Sequence, residues 1–237
     1  MSAVWKCYRQ MLRSIRDDKM LLAACAGPIL CGLLFRFGIP ALEGLLRAET
    51  GVSELIAPYY ALFDLFLSML SSMLLCFAAA MVVLEETDDH IAISLAVSPL
   101  GRRGYMLSRL GMSALGAFFY TLILLPVFHL SPLSVLEMLL LSLCGTAQGM
   151  IIALLIIAFA ANKLEGMAWA KLSGLIILGV LAPYFVRGSA RFLAAPLPGF
   201  FAAEALKSGK ALLFLPSLLI SAVWMAVLYK MRGKRDL

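Results

Sequence analysis

Residues 59–84 read Tyr59-Tyr60-Ala61-Leu62-Phe63-Asp64-Leu65-Phe66-Leu67-Ser68-Met69-Leu70-Ser71-Ser72-Met73-Leu74-Leu75-Cys76-Phe77-Ala78-Ala79-Ala80-Met81-Val82-Val83-Leu84. Asp64 is the one charged residue in this run. The run exceeds the roughly 20 apolar residues a helix needs to cross a hydrocarbon core of about 30 Å. Five further apolar runs accompany it, about Met20–Leu42, Tyr105–Phe128, Ser134–Ala161, Trp169–Val186 and Leu212–Lys230. The chain of 237 residues is 62% hydrophobic and only 14% charged. Soluble domains are roughly 45–50% apolar and about 25% charged, so lipid is the solvent that accounts for the excess. The expectation is an all-α membrane protein with six transmembrane helices. Residues 1–19 form an N-terminal amphipathic helix, 20–230 a single six-span domain and 231–237 a basic tail.

The net charge of +6 does not mark a nucleic-acid binder, because Lys and Arg cluster at span ends rather than in one patch. There they act as topology signals. With the N-terminus placed inside, the inner segments hold fourteen Lys and Arg and the outer segments five, with Arg36 inside a span. This predicts a multi-pass protein of the cell membrane with both termini cytoplasmic. Trp5, Tyr8, Met11, Leu12 and Ile15 recur at helical spacing among Lys6, Arg9, Arg13 and Arg16. The pattern suits a helix lying in the membrane interface, or an ordinary cytosolic extension. The five cysteines contain no CxxC pair and read as small buried hydrophobes. Leu22-Ala23-Ala24-Cys25 resembles a lipoprotein cleavage box, but the apolar core before it is too short for a signal.

Two connections are longer than turns. Residues 187–211 are apolar but broken by Pro196, Pro198 and Gly199. A re-entrant or interfacial helical pair suits them better than a seventh span. Residues 85–104 open with Glu85-Glu86-Thr87-Asp88-Asp89-His90 and close with Ser98-Pro99-Leu100-Gly101-Arg102-Arg103. An acidic start and a Pro-x-Gly stop predict a short helix across the cytoplasmic surface. It could be a metal or hydrolytic site, a solvated loop, or a docking helix for a cytosolic partner. The paired Glu is similar to the Glu-Glu-x-x-x-Arg motif of membrane-embedded prenyl-protein proteases. However, His90 stands where that motif has Arg, and His129 is expected on the opposite face, short of the three ligands a catalytic metal needs.

Arg16-Asp17 before the first span, Glu85/Glu86 after the second, and Ile93-Ser94-Leu95-Ala96-Val97-Ser98-Pro99-Leu100-Gly101-Arg102-Arg103 together resemble the ABC-2 type transporter permeases. The likeness runs through span number, loop lengths and termini; Asp88, Asp89 and Arg36 depart from the pattern. The resemblance implies one transmembrane half of an ATP-driven exporter, pairing with a second permease subunit and resting on a cytosolic ABC ATPase. Residues 85–103 would be the coupling helix, with Glu85, Glu86, Asp88, Asp89, His90, Pro99, Arg102 and Arg103 facing the ATPase. Residues 1–19 would be the elbow helix. The phosphate-cradling Gly-x-x-x-x-Gly-Lys-Ser/Thr is absent from the chain. No cofactor is therefore expected here; ATP and Mg belong to the partner. Leu172-Ser173-Gly174 matches part of an ABC signature by coincidence, because it sits inside the fifth span.

Arg36 and Asp64 lie at similar depth, where unpaired charge is costly. Either they pair or share a polar cavity, or Arg36 snorkels outward and Asp64 sits near the interface. Gly145-Thr146-Ala147-Gln148-Gly149 contains a Gly-x-x-x-Gly step that permits close helix packing. Gln148 could bond across helices or touch cargo. An ATP-independent transporter or channel, and a membrane-embedded enzyme, are the competing functions. The chain lacks a convincing inverted repeat for the first and clustered nucleophiles for the second.

Overall fold

The computed structural model describes residues 3–50, 55–97 and 101–232, and every regular element in them is helical. Among the described residues six helices are long and apolar enough to cross a membrane: Lys19–Glu49, Ala57–Asp88, Arg103–Phe128, Val135–Phe159, Lys163–Phe185 and Ala211–Met231. They are called spans 1 to 6 below. Span 1 continues seven residues past its expected end, and span 5 begins six residues before its expected start. Polar flanks that hydropathy trims off remain helical. An amphipathic helix, Ala3–Asp17, precedes span 1. It buries Cys7, Met11 and Ile15 and leaves its basic side exposed. The end of the bundle that carries it is called the near face.

Spans 2 and 4 are the core. In their most apolar windows 72% and 67% of residues are buried, against 17% to 22% for spans 1, 5 and 6. The cause is side-chain size. An added Cβ at Gly145 would stand 2.7 Å from the Ser68 carbonyl oxygen, and one at Gly149 2.6 Å from that of Ser72. Spans 2 and 4 thus touch backbone to backbone, which the Gly-x-x-x-Gly step allows. Hydroxyls pin the contact. Ser68 Oγ donates to the Leu141 carbonyl at 2.7 Å, and Ser71 and Ser72 each share a hydrogen bond with Thr121 of span 3 at 3.0 and 2.9 Å. Such bonds between membrane helices contribute about 0.6–2 kcal/mol each.

Local signals explain the helix starts. Asp18 caps span 1 by accepting from the Met20 and Leu21 amides. Ser134 and Glu137 form a reciprocal capping box at span 4. Asn162 caps span 5 through the Glu165 amide. Two spans widen into π-helical turns, Leu34–Gly38 and Leu107–Gly111, and each turn carries an arginine, Arg36 and Arg109. Span 5 tightens to a 3-10 turn at Gly174–Ile177.

The segment after span 5 folds as a 3-10 helix, Ser189–Ala194, and an α-helix, Phe200–Ser208. Its bend reaches deep. The Pro196 carbonyl accepts from the Trp224 indole of span 6 at 2.9 Å. Gly199, at φ +93°, packs on Gln148 near the middle of span 4.

Candidate functional site

At the near face, the acidic run does not begin a surface helix as expected. Span 2 stays helical through Asp88, so Glu85, Glu86 and Asp88 form its last turn. His90 turns the chain with φ 59°, and a short helix follows at Ile91–Val97. The reason is continuity of burial: the last turn still has partners to cover. Carboxylates at a helix C-terminus oppose the helix dipole, and here cations compensate.

Glu86 is buried and faces inward. Arg109, fully buried in the π turn of span 3, grips its carboxylate with two nitrogens: Nε donates at 2.9 Å, and Nη2 donates to the second oxygen. Tyr105 Oη adds a third donor at 2.8 Å. The remaining guanidinium nitrogen donates to the Cys7 carbonyl of the N-terminal helix at 2.5 Å. One buried ion pair therefore joins span 2, span 3 and the N-terminal helix. Beside it, Lys163 Nζ at the start of span 5 donates to Asp18 and to Glu85, both at 2.9 Å. Its amide donates to Asp88 at 3.1 Å. The Lys163 ammonium, helped by the Met20 and Leu21 amides, holds the Asp18 carboxyl below the usual range.

The residues expected at an ATPase contact thus divide. Glu86 is committed internally, and Glu85 and Asp88 are bonded to residue 163. Asp89, His90 and Arg103 are exposed on the near face. Pro99 lies outside the described residues, as does the Arg102 side chain. Arg109, Tyr105 and Lys163 complete the arrangement. Sequence reading counted Arg109 and Lys163 only as topology charges; the signal that could have found Arg109 is its place two turns into an apolar span.

Arg36 and Asp64 make no ion pair with each other. Both instead hold the connection between spans 3 and 4. Arg36 Nη1 donates to the His129 carbonyl at 2.7 Å. Asp64, almost fully buried, accepts from the Leu130 amide at 2.7 Å, the Ser131 amide at 2.8 Å and the Ser131 hydroxyl. A carboxylate with three donors is satisfied without a cation. Gln148 is buried at mid-span, and neither its Nε2 nor its Oε1 has a partner. Among the described residues no group of His, Cys, Asp and Glu could hold a metal.

The sequence model of the family described as "Fluoroquinolones export permease protein Rv2686c-like" matches residues 11–231, which include all but the edges of this architecture. The chain belongs to the Rv2686c-like family, a group of ABC-2 type permeases. Two curated relatives from Mycobacterium tuberculosis agree. They are the fluoroquinolones export permease proteins MT2760 of strain CDC 1551 / Oshkosh and Rv2686c of strain ATCC 25618 / H37Rv. Each is 23% identical over 199 residues, covering 83% of this chain and 79% of the relative. No solved structure matches. The Rv2686c-like match takes in the Glu86–Arg109 pair, the Lys163 knot and the mid-span glutamine together.

Proposed function

We propose that this chain is the transmembrane subunit of an ABC exporter, driven by a separate ATPase and carrying drug-like amphipathic molecules. The observation that carries the reading is the family match across all six spans. The relatives are named for fluoroquinolone export, and we extend to this chain a substrate of that general kind. ATP hydrolysis falls to the partner, and two permease subunits, identical or paralogous, complete the transporter. The chain itself is non-catalytic. Both termini and the near face lie in the cytoplasm of the cell-membrane protein, in keeping with the Lys and Arg asymmetry. The outer segment over residues 187–211 is re-entrant, an assignment supported by its bend packing at mid-depth of spans 4 and 6.

In this reading the coupling surface is narrower than the whole 85–103 stretch. Asp89, His90, Pro99, Arg102 and Arg103 meet the ATPase. Glu86 acts from within, passing displacement of the near face to span 3 and the N-terminal helix through Arg109. Alternating access then follows from two bundles rocking against one another.

The test is ATP-dependent export of a fluoroquinolone from cells, or its uptake into inverted vesicles, with the chain and its ATPase co-expressed. Transport is expected with both subunits, and loss is expected when the ATPase's phosphate-cradling lysine is replaced by alanine. Transport by the chain alone, driven by a proton gradient, would overturn the proposal in favour of a secondary transporter. Charge reversal by Asp89→Arg with Arg103→Glu is expected to weaken co-purification of the ATPase at least severalfold; unchanged co-purification would move the coupling surface elsewhere.

A further inference from the structure

The end of the bundle opposite the near face holds a cavity of about 480 Å³. That is within the range of about 300–1,000 Å³ in which small-molecule sites fall. Three parts of the chain build its wall. Tyr59 comes from the start of span 2, and Tyr184 and Arg187 come from the end of span 5 and the residues just after it. Arg191 and Lys207 come from the two helices of the outer segment. Three cations therefore face one space, and no carboxylate lines it.

Little in the fold neutralises these charges. Arg191 pairs with Glu204 at 3.4 Å, both side chains partly buried. Lys207 is exposed, donates to the Pro183 carbonyl and lies 5.7 Å from the centre of the Tyr184 ring. An ammonium has three donors, and neither of those neighbours is an anion. Arg187 is exposed and, among the described residues, in no ion pair. Asp64 is held by the connection between spans 3 and 4 and does not line the cavity. Glu204 thus offsets one positive charge of three. The cavity lies at the level of the span ends, where lipid headgroups begin. Beside the cations, Phe185, Phe192 and Leu193 stand exposed.

We propose that this cavity binds the phosphate of an anionic phospholipid whose acyl chains lie against Phe185, Phe192 and Leu193. Three features set the chemistry. Guanidinium forks match the oxygens of a phosphate, and the lysine adds a point charge. The surplus of two cations favours a lipid with net negative charge over a zwitterionic one. The exposed apolar side chains next to the cations favour an anion that carries hydrocarbon over a free one. The proposal takes from the exporter reading only that the far ends of the spans reach a membrane interface. Binding requires neither ATP nor the ATPase.

The test is native mass spectrometry of the purified full chain in detergent, titrated with palmitoyl-oleoyl phosphatidylglycerol or with the diacylglycerol of the same chains. The wild-type protein is expected to hold its first phosphatidylglycerol about tenfold more tightly than the diacylglycerol, the scale set by two basic groups at a lipid surface. Arg187→Ala with Lys207→Ala is expected to weaken phosphatidylglycerol binding about tenfold and to leave diacylglycerol binding unchanged. Arg187→Glu, one exposed residue, is expected to weaken it as well and covers the case in which the double variant misfolds. Arg47→Ala with Lys210→Ala removes equal charge from the same face outside the cavity, and it is expected to change neither. Phosphatidylglycerol binding that survives both Arg187 variants, or falls equally in the Arg47 and Lys210 control, overturns the proposal. Inorganic phosphate that displaces the lipid at equal concentration also overturns it, in favour of a soluble anion.

Discussion

Arg109 is the residue on which the near face depends. Its guanidinium is fully buried, and every bond it makes crosses between elements. Breaking a buried pair by removing one partner leaves a charge with no compensation, at a cost of about 3–5 kcal/mol. Arg109→Leu is therefore expected to lower the thermal midpoint of the purified protein strongly, as is Glu86→Leu. The double substitution should be milder than either single one; a double variant as unstable as the sum would show that the two side chains do not act as a pair. Asp18 gives a pH signature. Its folded pKa is depressed, so its contribution is present above the ordinary carboxylate pKa of about 3.9 and is lost as pH falls through the lower folded value. Stability of the wild type should fall over that acidic window more steeply than that of Asp18→Asn. Parallel acid profiles for the two proteins would remove Asp18 from the tether.

At the scale of elements, the seam between spans 2 and 4 sets the packing. Where a Cβ would meet a backbone carbonyl at 2.6–2.7 Å, the obstacle cannot rotate away. Gly145→Ala and Gly149→Ala should each cost about 1–3 kcal/mol of stability, the usual range for overpacking. Gly44 in span 1 meets nothing within 4 Å, so Gly44→Ala is the control and should be neutral or slightly stabilising. Unfolding midpoints in SDS titrations of the three variants read the difference directly. This seam was legible in sequence as a Gly-x-x-x-Gly step. The six spans were legible for the same reason: length and hydropathy are local properties that lipid enforces. The two π turns and the 3-10 turn were not, since they arise from tertiary demands on Arg36, Arg109 and span 5. Nor was the pairing at the near face. Sequence places Glu86 in an acidic run, and only the fold shows that Arg109, on the next span, is aimed at it.

For the whole molecule, six crossings bring the two ends of the chain to one side. Asp89 and Ser134 then mark opposite faces. In a variant with the five native cysteines replaced, a cysteine at 89 should react with a membrane-impermeant maleimide only in inverted vesicles, and one at 134 only in intact cells. The reverse pattern would invert the proposed topology. The candidate site was legible only in part at this scale. The resemblance pointed to the family, but it treated residues 85–103 as one uniform surface. Among its described residues, burial commits Glu86 to the inside of the bundle and leaves Asp89, His90 and Arg103 exposed.

Span 2 is fastened to span 3 at both ends, by Glu86 to Arg109 at the near face and by Asp64 to the connection after span 3 at the far face. Between those fasteners, Ser71 and Ser72 bond to Thr121. Two rods riveted at each end and in the middle have lost their freedom to slide or splay. Spans 2, 3 and 4 therefore behave mechanically as a single strut, and a push at the near face travels its length without being absorbed. Of the remaining spans, the fifth makes the thinner seam with that strut, and compliance is left there.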